Sequence, residues 1–325
     1  MNVDECIEAF ETLGDEIFGH PRWRHIRQIK LPFLWWPRSK YNKDKFERVI
    51  QGFVDKYEPR RRGDPAGSDH LPVRDRCKTG VVGVIEDKEG ARPYLFRSYN
   101  HIYPGTSTVL NPGPATNVLI AKVARATTAA PTYFQHADLR GEKFVDGGLG
   151  NNNPSWIAYF EVSNLHKLHR RTWRAAHQLV GQTPASPQEQ QVNAVGALVS
   201  IGTGKTRPAR LVGPAGISRY VGYARLTRKM ATNSEEIHRR MVSVIEDNGA
   251  HYYRLNVQTG LDGIKLDEWK TSRDAEGNTV NVTLRNIEAQ TRAYLQSPGV
   301  MDDIRACART LIQLRNAANP PMNTL

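Results

Sequence analysis

One carboxylate in the sequence stands where an enzyme would place a general base. Asp146 ends the short strand-like run Phe144-Val145-Asp146, and Gly147 and Gly148 follow it. Ligands of α/β proteins gather at the carboxyl ends of strands, and glycines let the backbone turn sharply beside the carboxylate. A carboxylate held in this way can accept a proton from a nucleophile across a cleft. The alternative is an ordinary Asp-Gly turn, because that dipeptide is a common turn signal.

Two other patterns suggest binding sites but do not complete them. Gly204-Lys205 is similar to the end of a phosphate loop, yet that pattern requires a glycine where the chain has Val199. His166 and His169 share a helical face, but they form no Glu-bearing His-x-x-x-His pair and have no cysteine nearby, so we expect surface histidines. The sequence therefore implies no nucleotide site, no metal and no other cofactor.

An aromatic and basic stretch between residues 22 and 45 could meet a lipid surface. Trp35 and Trp36 are its central pair, and the flanking cations are Arg27, Lys30, Arg38 and Lys40. Amphipathic rings and cations are favourable together at a headgroup interface, which predicts peripheral membrane contact. The alternative is that these rings cover the core beneath a long loop. A separate basic cluster, Arg60 to Arg62, is typical of a solvated charge run.

Composition limits the class of protein without choosing the function. The 325 residues include 45 Lys+Arg and 33 Asp+Glu, giving a formal net charge of +12. No window approaches the roughly 18 apolar residues of a membrane span, and the first 20 residues are too acidic for a secretory leader. Three separated cysteines favour an intracellular, reducing compartment, with the protein cytoplasmic or peripheral to a membrane. Nucleic-acid binding would rest on the charge alone, because no reading module is present.

Strands and helices alternate along the chain, which predicts an α/β architecture with a mostly parallel sheet. We predict helices at residues 2–18, where Asn2 and Glu5 form a capping-box pattern, and at 40–57. Further predictions are adjacent strands at 79–85 and 92–99, a helical stretch at 115–130, a buried parallel strand at 194–201 and a strand at 251–257. Helices are predicted after Pro154, near 219–247, and at 283–295 and 300–315. We find no internal repeat.

Three ordered segments resemble the second half of the patatin-like phospholipase domain. They are residues 124–134 (ARATTAAPTYF), residues 144–148 (FVDGG) and residues 151–154 (NNNP), followed by residues 199–205 (VSIGTGK), which look like a later strand and turn of that family. The resemblance covers roughly residues 1–205, and the helices at 2–18 and 40–57 also fit the region after the nucleophile in fungal members.

The resemblance implies a Ser-Asp dyad that hydrolyses acyl esters of lipids, in which Asp146 deprotonates the serine and Gly147 and Gly148 complete its motif. The family serine sits in a Gly-x-Ser-x-Gly elbow, and an upstream glycine-rich loop supplies oxyanion donors. The present sequence contains neither motif, and Gly147-Gly148 is its only Gly-Gly pair. We therefore expect that the chain begins just downstream of the nucleophile and is inactive as written.

One serine must be weighed as a substitute nucleophile. Ser107 lies in Gly105-Thr106-Ser107-Thr108-Val109, which lacks the closing glycine that lets the elbow helix pack closely. Prolines also surround this segment, whereas an elbow needs a strand before it and a helix directly after it. We expect Ser107 to be a loop residue.

The resemblance implies a three-layer α/β sandwich whose mostly parallel central sheet lacks its N-terminal strands. We predict a partial acyl-hydrolase domain at residues 1–205 and a mainly helical C-terminal extension at residues 206–325. An incomplete sheet exposes unpaired edges, so we expect the chain to be poorly stable alone. The leading functional hypothesis is the Asp-bearing portion of a lipid acyl hydrolase acting on phospholipids or other acyl lipids. The alternative is a catalytically dead module that binds lipid or protein.

Overall fold

The computed structural model describes residues 2–19, 21, 39–57, 71, 77–88, 90–102, 110–131, 133–179, 195–205, 234–245 and 247–318. Three predictions fall outside the described residues: the loop serine Ser107, the Trp35-Trp36 stretch with its neighbours up to Arg38, and the cluster Arg60 to Arg62.

Two amphipathic helices begin the described fold. Helix α1 (Val3–Phe18) starts with the predicted capping box: the Asn2 side chain accepts the Glu5 N–H at 2.8 Å, and the Glu5 carboxylate accepts the Asn2 N–H at 2.7 Å. Helix α2 (Lys43–Tyr57) packs against it through a core of Ile17, Tyr41, Phe46 and Phe134, with Leu13 and Val49 at its edge. Both predicted helices are confirmed.

A four-stranded sheet forms the centre of the N-terminal half. Its strands are β1 (Gly80–Asp87), β2 (Gly90–Arg97), β3 (Ala137–Leu139) and β4 (Glu142–Val145), in the order β2-β1-β4-β3. Every neighbouring pair is antiparallel, and β4 pairs with β1 through Val145 opposite Val84. The predicted adjacency of β1 and β2 is confirmed, while β3 was not predicted from the sequence.

The helix predicted at 115–130 is shorter, because its flanking residues bond elsewhere. Helix α3 (Ile120–Thr127) covers the sheet, and the buried cluster between them consists of Leu71, Ile85, Phe96, Val123, Ala126, Ala137 and Phe144. Before the helix, the Thr116 N–H donates to the Arg97 carbonyl at 2.7 Å, and the Val118 carbonyl accepts the Leu71 N–H at 2.9 Å. A longer helix would need the Val118 carbonyl for its own i to i+4 bond, and Leu71 occupies that carbonyl.

The C-terminal half mixes helices with short strands. A four-residue helix α4 (Gly148–Asn151) and the long helix α5 (Ser155–Leu179) lead to β5 (Ala197–Ile201). After β5 come helix α6 (residues 234–245), β6 (His251–Leu255), the β7–β8 hairpin (Thr271–Arg273 with Thr279–Asn281), α7 (Val282–Leu295) and α8 (Pro298–Ala318). No helix of the described residues is long and apolar enough to cross a membrane.

The α/β character is confirmed, but the predicted mostly parallel sheet is confirmed only in part. Among the described strands, the parallel pairing is that of β5 with β6. The four-stranded sheet is antiparallel because tight turns join β1 to β2 and β3 to β4, and the second turn has Arg140 and Gly141 at positive φ. Strand β5 was expected to be buried, yet Ile201 at its end is 78% exposed.

The predicted boundary at residue 205 remains a prediction. Strand β6 comes from the predicted extension and pairs with β5 of the predicted hydrolase domain. Side-chain contacts also cross this boundary: for example, Trp269 Nε1 donates to Asp15 Oδ1 at 2.9 Å, and Tyr41 OH donates to Asp267 Oδ2 at 2.7 Å.

Candidate active site

Asp146 follows β4 directly, in a turn that is tied to the end of helix α3. The Asp146 N–H donates to the Ala129 carbonyl at 3.2 Å, and the Gly147 N–H donates to the Thr127 carbonyl at 3.1 Å. The side chain folds back on the same turn, because the Gly148 N–H donates to Asp146 Oδ1 at 2.7 Å. Three backbone N–H groups therefore fix the backbone and one carboxylate oxygen.

Gly147 lets the turn lie directly against strand β1. A Cβ atom at this position would lie 2.1 Å from the Val82 carbonyl oxygen and 3.2 Å from Thr127 Oγ1. The same carbonyl oxygen accepts the Thr127 hydroxyl at 2.6 Å. Strand β1, helix α3 and the Asp146 turn thus meet at one point, and only glycine leaves room for that approach.

The environment of Asp146 favours a base stronger than an exposed aspartate. Burial raises the pKa of the Asp146 carboxyl above its ordinary value, and the Gly148 N–H opposes that shift without cancelling it. The side chain is half-buried and forms no ion pair with any described residue. Since Gly148 occupies Oδ1 and no described residue donates to Oδ2, the second oxygen is available for a proton in transit.

A comparison with known protein families finds a match to the segment that contains Asp146. The family model for patatin-like phospholipase matches residues 1–159, a range that includes Asp146 and its turn. Over these residues the chain is therefore similar to the patatin-like phospholipase family. The resemblance predicted from the sequence is confirmed over this range, which is shorter than the 205 residues expected.

Curated relatives agree with this family. Calcium-independent phospholipase A2-gamma of Rattus norvegicus is 25% identical over 280 residues, covering 84% of this chain and 30% of that protein. The 85/88 kDa calcium-independent phospholipase A2 of Mus musculus is 29% identical over 225 residues, covering 62% of this chain and 25% of that protein. Patatin-like protein 2 of Arabidopsis thaliana is 34% identical over 98 residues, covering 26% of this chain and 21% of that protein. The chain spans less than a third of the length of these relatives.

Asn153, the third asparagine of the segment at residues 151–154, has a structural role. Its side chain is buried, and Oδ1 accepts the Ser155 N–H at 3.2 Å at the start of α5. The amide group donates to the Ser234 carbonyl at 3.1 Å, and the Ser155 hydroxyl lies 2.6 Å from Asn153 Oδ1 and 2.8 Å from Ser200 Oγ. Asn153 therefore holds α5, α6 and β5 together, downstream of the candidate base.

The sequence analysis missed a buried polar cluster around Glu161. Glu161 Oε1 accepts Arg97 Nε at 2.5 Å and Tyr99 OH at 3.0 Å, and it lies 2.6 Å from His101 Nδ1. All four side chains are buried, and His101 Nε2 has no hydrogen-bond partner in the described part of the chain. The available signal was Arg97, a charged residue that directly follows the buried pair Leu95-Phe96.

The other candidate residues take part in local contacts. The Gly204 N–H donates to Asn256 Oδ1 at 2.8 Å, and Lys205 Nζ lies 3.6 Å from Glu235 Oε2. His166 is half-buried on α5. Within the described ranges, no group of three or more His, Cys, Asp or Glu side chains could hold a metal ion.

Proposed function

We propose that this chain carries the general base of a phospholipase A type acyl hydrolase, with Asp146 as the carboxylate of a Ser-Asp dyad. The observation that carries the proposal is the placement of Asp146: it is half-buried, unpaired by any described cation and fixed in a strand-end turn within the matched range. The similarity to calcium-independent phospholipases A2 supports phospholipids as the substrate class.

The chemistry assigned to Asp146 is a proton relay. Its free carboxylate oxygen accepts the serine hydroxyl proton while the serine oxygen bonds to the acyl carbon. The protonated Asp146 then returns the proton to the departing alcohol, which leaves as a lysophospholipid. In the second half, water attacks the acyl-serine and loses a proton to Asp146. Asp146 returns that proton to the serine oxygen as the bond between the acyl carbon and the serine breaks, and the fatty acid leaves. The raised pKa suits both steps, because it moves the Asp146 carboxyl towards the working pH, where a group both accepts and returns protons more effectively.

The serine of the dyad is not assigned to this sequence, because the 325 residues contain no Gly-x-Ser-x-Gly. We propose that the chain as written does not hydrolyse acyl esters. The test compares the 325-residue chain with the product of the same reading frame extended upstream to include a Gly-x-Ser-x-Gly segment. Both are assayed with a chromogenic acyl ester and with phospholipid vesicles.

We expect turnover only from the extended protein, and we expect Asp146→Asn to lower kcat by at least about 10²-fold. Asp138→Asn is the matched control, because Asp138 is an exposed aspartate on neighbouring β3. Turnover by the 325-residue chain that is lost in Ser107→Ala would show that the nucleophile is internal. An upstream frame without the motif, together with liposome binding and no turnover, would instead support the binding-module alternative.

A further inference from the structure

A groove separates helices α1 and α2, well apart in sequence from Asp146. Its volume is about 520 Å³, and the residues that line it come from both helices: Glu8, Ala9, Thr12, Leu13 and Glu16 from α1, and Lys45, Arg48, Val49, Gly52, Phe53, Lys56 and Tyr57 from α2. Asp146 is not among them, so the groove is a feature distinct from the candidate active site.

The groove is open because the two helices pack together at one end and because α2 has a glycine, Gly52, with no side chain to fill the space farther along. The C-terminal half of α1 packs on the start of α2 through Leu13, Ile17 and Phe46. Farther along α2, a Cβ atom built on Gly52 would have no atom within 4 Å. The floor is apolar, with Leu13, Val49 and the Phe53 ring, whose centroid lies 4.6 Å from that of Tyr57.

The two walls carry opposite charges that do not neutralise each other. Carboxylates from α1 line one wall, Glu8 and Glu16, and the cations Lys45, Arg48 and Lys56 line the other. No salt bridge joins these five side chains across the groove, although all of them lie in the described ranges. The walls therefore present separate anionic and cationic surfaces to a bound molecule.

We infer that this groove binds a single-chain zwitterionic amphiphile of the phosphocholine class. The alkyl chain would lie on the apolar floor, where burial of its methylene groups drives binding. The phosphate would face the cations of α2, and the quaternary ammonium would face the carboxylates of α1. An uncharged amphiphile would gain only the apolar contacts. The inference does not depend on the proposed hydrolase activity, because it uses none of the Asp146 contacts.

The first test fills the groove. Dodecylphosphocholine, kept below its micelle concentration, is titrated into the 325-residue chain by isothermal calorimetry, and Gly52→Leu is compared with the wild type. The added side chain occupies the open space, so we expect the affinity to fall by about tenfold or more. Gly299→Leu on α8 is the matched control, because a Cβ there also has no atom within 4 Å. Leucine favours a helix over glycine, so urea unfolding should show both variants at least as stable as wild type.

The second test removes the charges of one wall. Dodecyl maltoside is the uncharged comparison ligand, and the wild type should prefer dodecylphosphocholine by about tenfold. The double change Glu8→Gln with Glu16→Gln should lower that preference by about threefold to tenfold while leaving maltoside binding unchanged. Equal affinity for the two ligands in the wild type, or unchanged binding in Gly52→Leu, would overturn the inference. Asp146→Asn should bind as the wild type does, which separates this site from the proposed active site.

Discussion

Replacing Gly147 by alanine tests the contact that positions the candidate base. The backbone angles of Gly147, φ −58° and ψ −30°, are ones that alanine adopts without strain. The cost is therefore steric: the new methyl group would lie 2.1 Å from the Val82 carbonyl oxygen and 2.9 Å from its carbon, in a strand that cannot yield as a flexible side chain would. Overpacking of this kind typically costs about 1–3 kcal/mol, and a backbone obstacle favours the upper end.

Gly150→Ala, three residues along the same segment, supplies the matched comparison. A methyl group at Gly150 would meet Val84 Cγ2 at 3.7 Å, which is ordinary contact. Urea unfolding should show Gly147→Ala less stable than wild type by about 3 kcal/mol and Gly150→Ala within about 0.5 kcal/mol. Hydrogen exchange should show faster exchange of the Gly148 N–H in Gly147→Ala, since that N–H binds the Asp146 carboxylate. Equal stability of the two variants would refute the close approach of β1.

Three further predictions concern the surroundings of the site. Thr127→Val should cost about 1 kcal/mol by urea unfolding, because Val82 loses its hydroxyl donor, while Thr127→Ser should restore most of it. Asp146→Asn should raise the free energy of unfolding at pH 7, because the variant lacks a carboxylate whose ionisation is disfavoured in the folded state. The wild type loses this stability as pH rises from the unfolded-state pKa of Asp146 to its higher folded-state pKa, so the two proteins should differ less in acid. Glu161→Gln should cost about 3 kcal/mol by leaving buried Arg97 without its counter-charge.

The Glu161 cluster should also make the stability of the fold decrease as the pH falls. Burial would raise the pKa of the Glu161 carboxyl, but its hydrogen bonds with Arg97 and His101 outweigh burial and lower it. An acid with a lowered folded-state pKa contributes stability above its unfolded pKa and loses it as pH falls through the folded value. Wild-type stability should therefore fall in acid more steeply than that of Glu161→Gln, as measured by urea midpoints across pH 3–7. Parallel curves for the two proteins would contradict this assignment.

The sequence predicted those parts of the structure that local bonds decide. The capping box of Asn2 and Glu5 joins residues three apart, and the turn after Val145 needs only the glycines that follow Asp146. In both cases the residue types that make the bonds are neighbours in the chain. Spacing was therefore enough to locate helix α1 and the candidate base.

Pairings between distant residues could not be predicted in the same way. The approach of Gly147 to Val82 joins a turn residue to a strand that is distant in the sequence, and periodicity does not indicate which strand a turn will contact. The mostly parallel sheet was expected because strands alternate with helices, but the Arg140-Gly141 turn makes β3 and β4 a hairpin. The Glu161 cluster depends on α5 reaching the end of β2, a tertiary contact that single residues do not signal.

The contacts around Asp146 account for how the fold tolerates a half-buried carboxylate that has no ion-pair partner among the described residues. Ionisation of Asp146 disfavours the folded state, and the Gly148 N–H compensates only part of that cost. The turn is instead held by bonds that do not involve the carboxylate: two backbone N–H groups reach the end of α3, and Thr127 bonds to β1. A carboxylate kept by its own ion pair would be a weaker base, because a neighbouring cation lowers its pKa. Support through the backbone therefore leaves the pKa of Asp146 raised and its position fixed, as the proposed proton transfer from a serine requires.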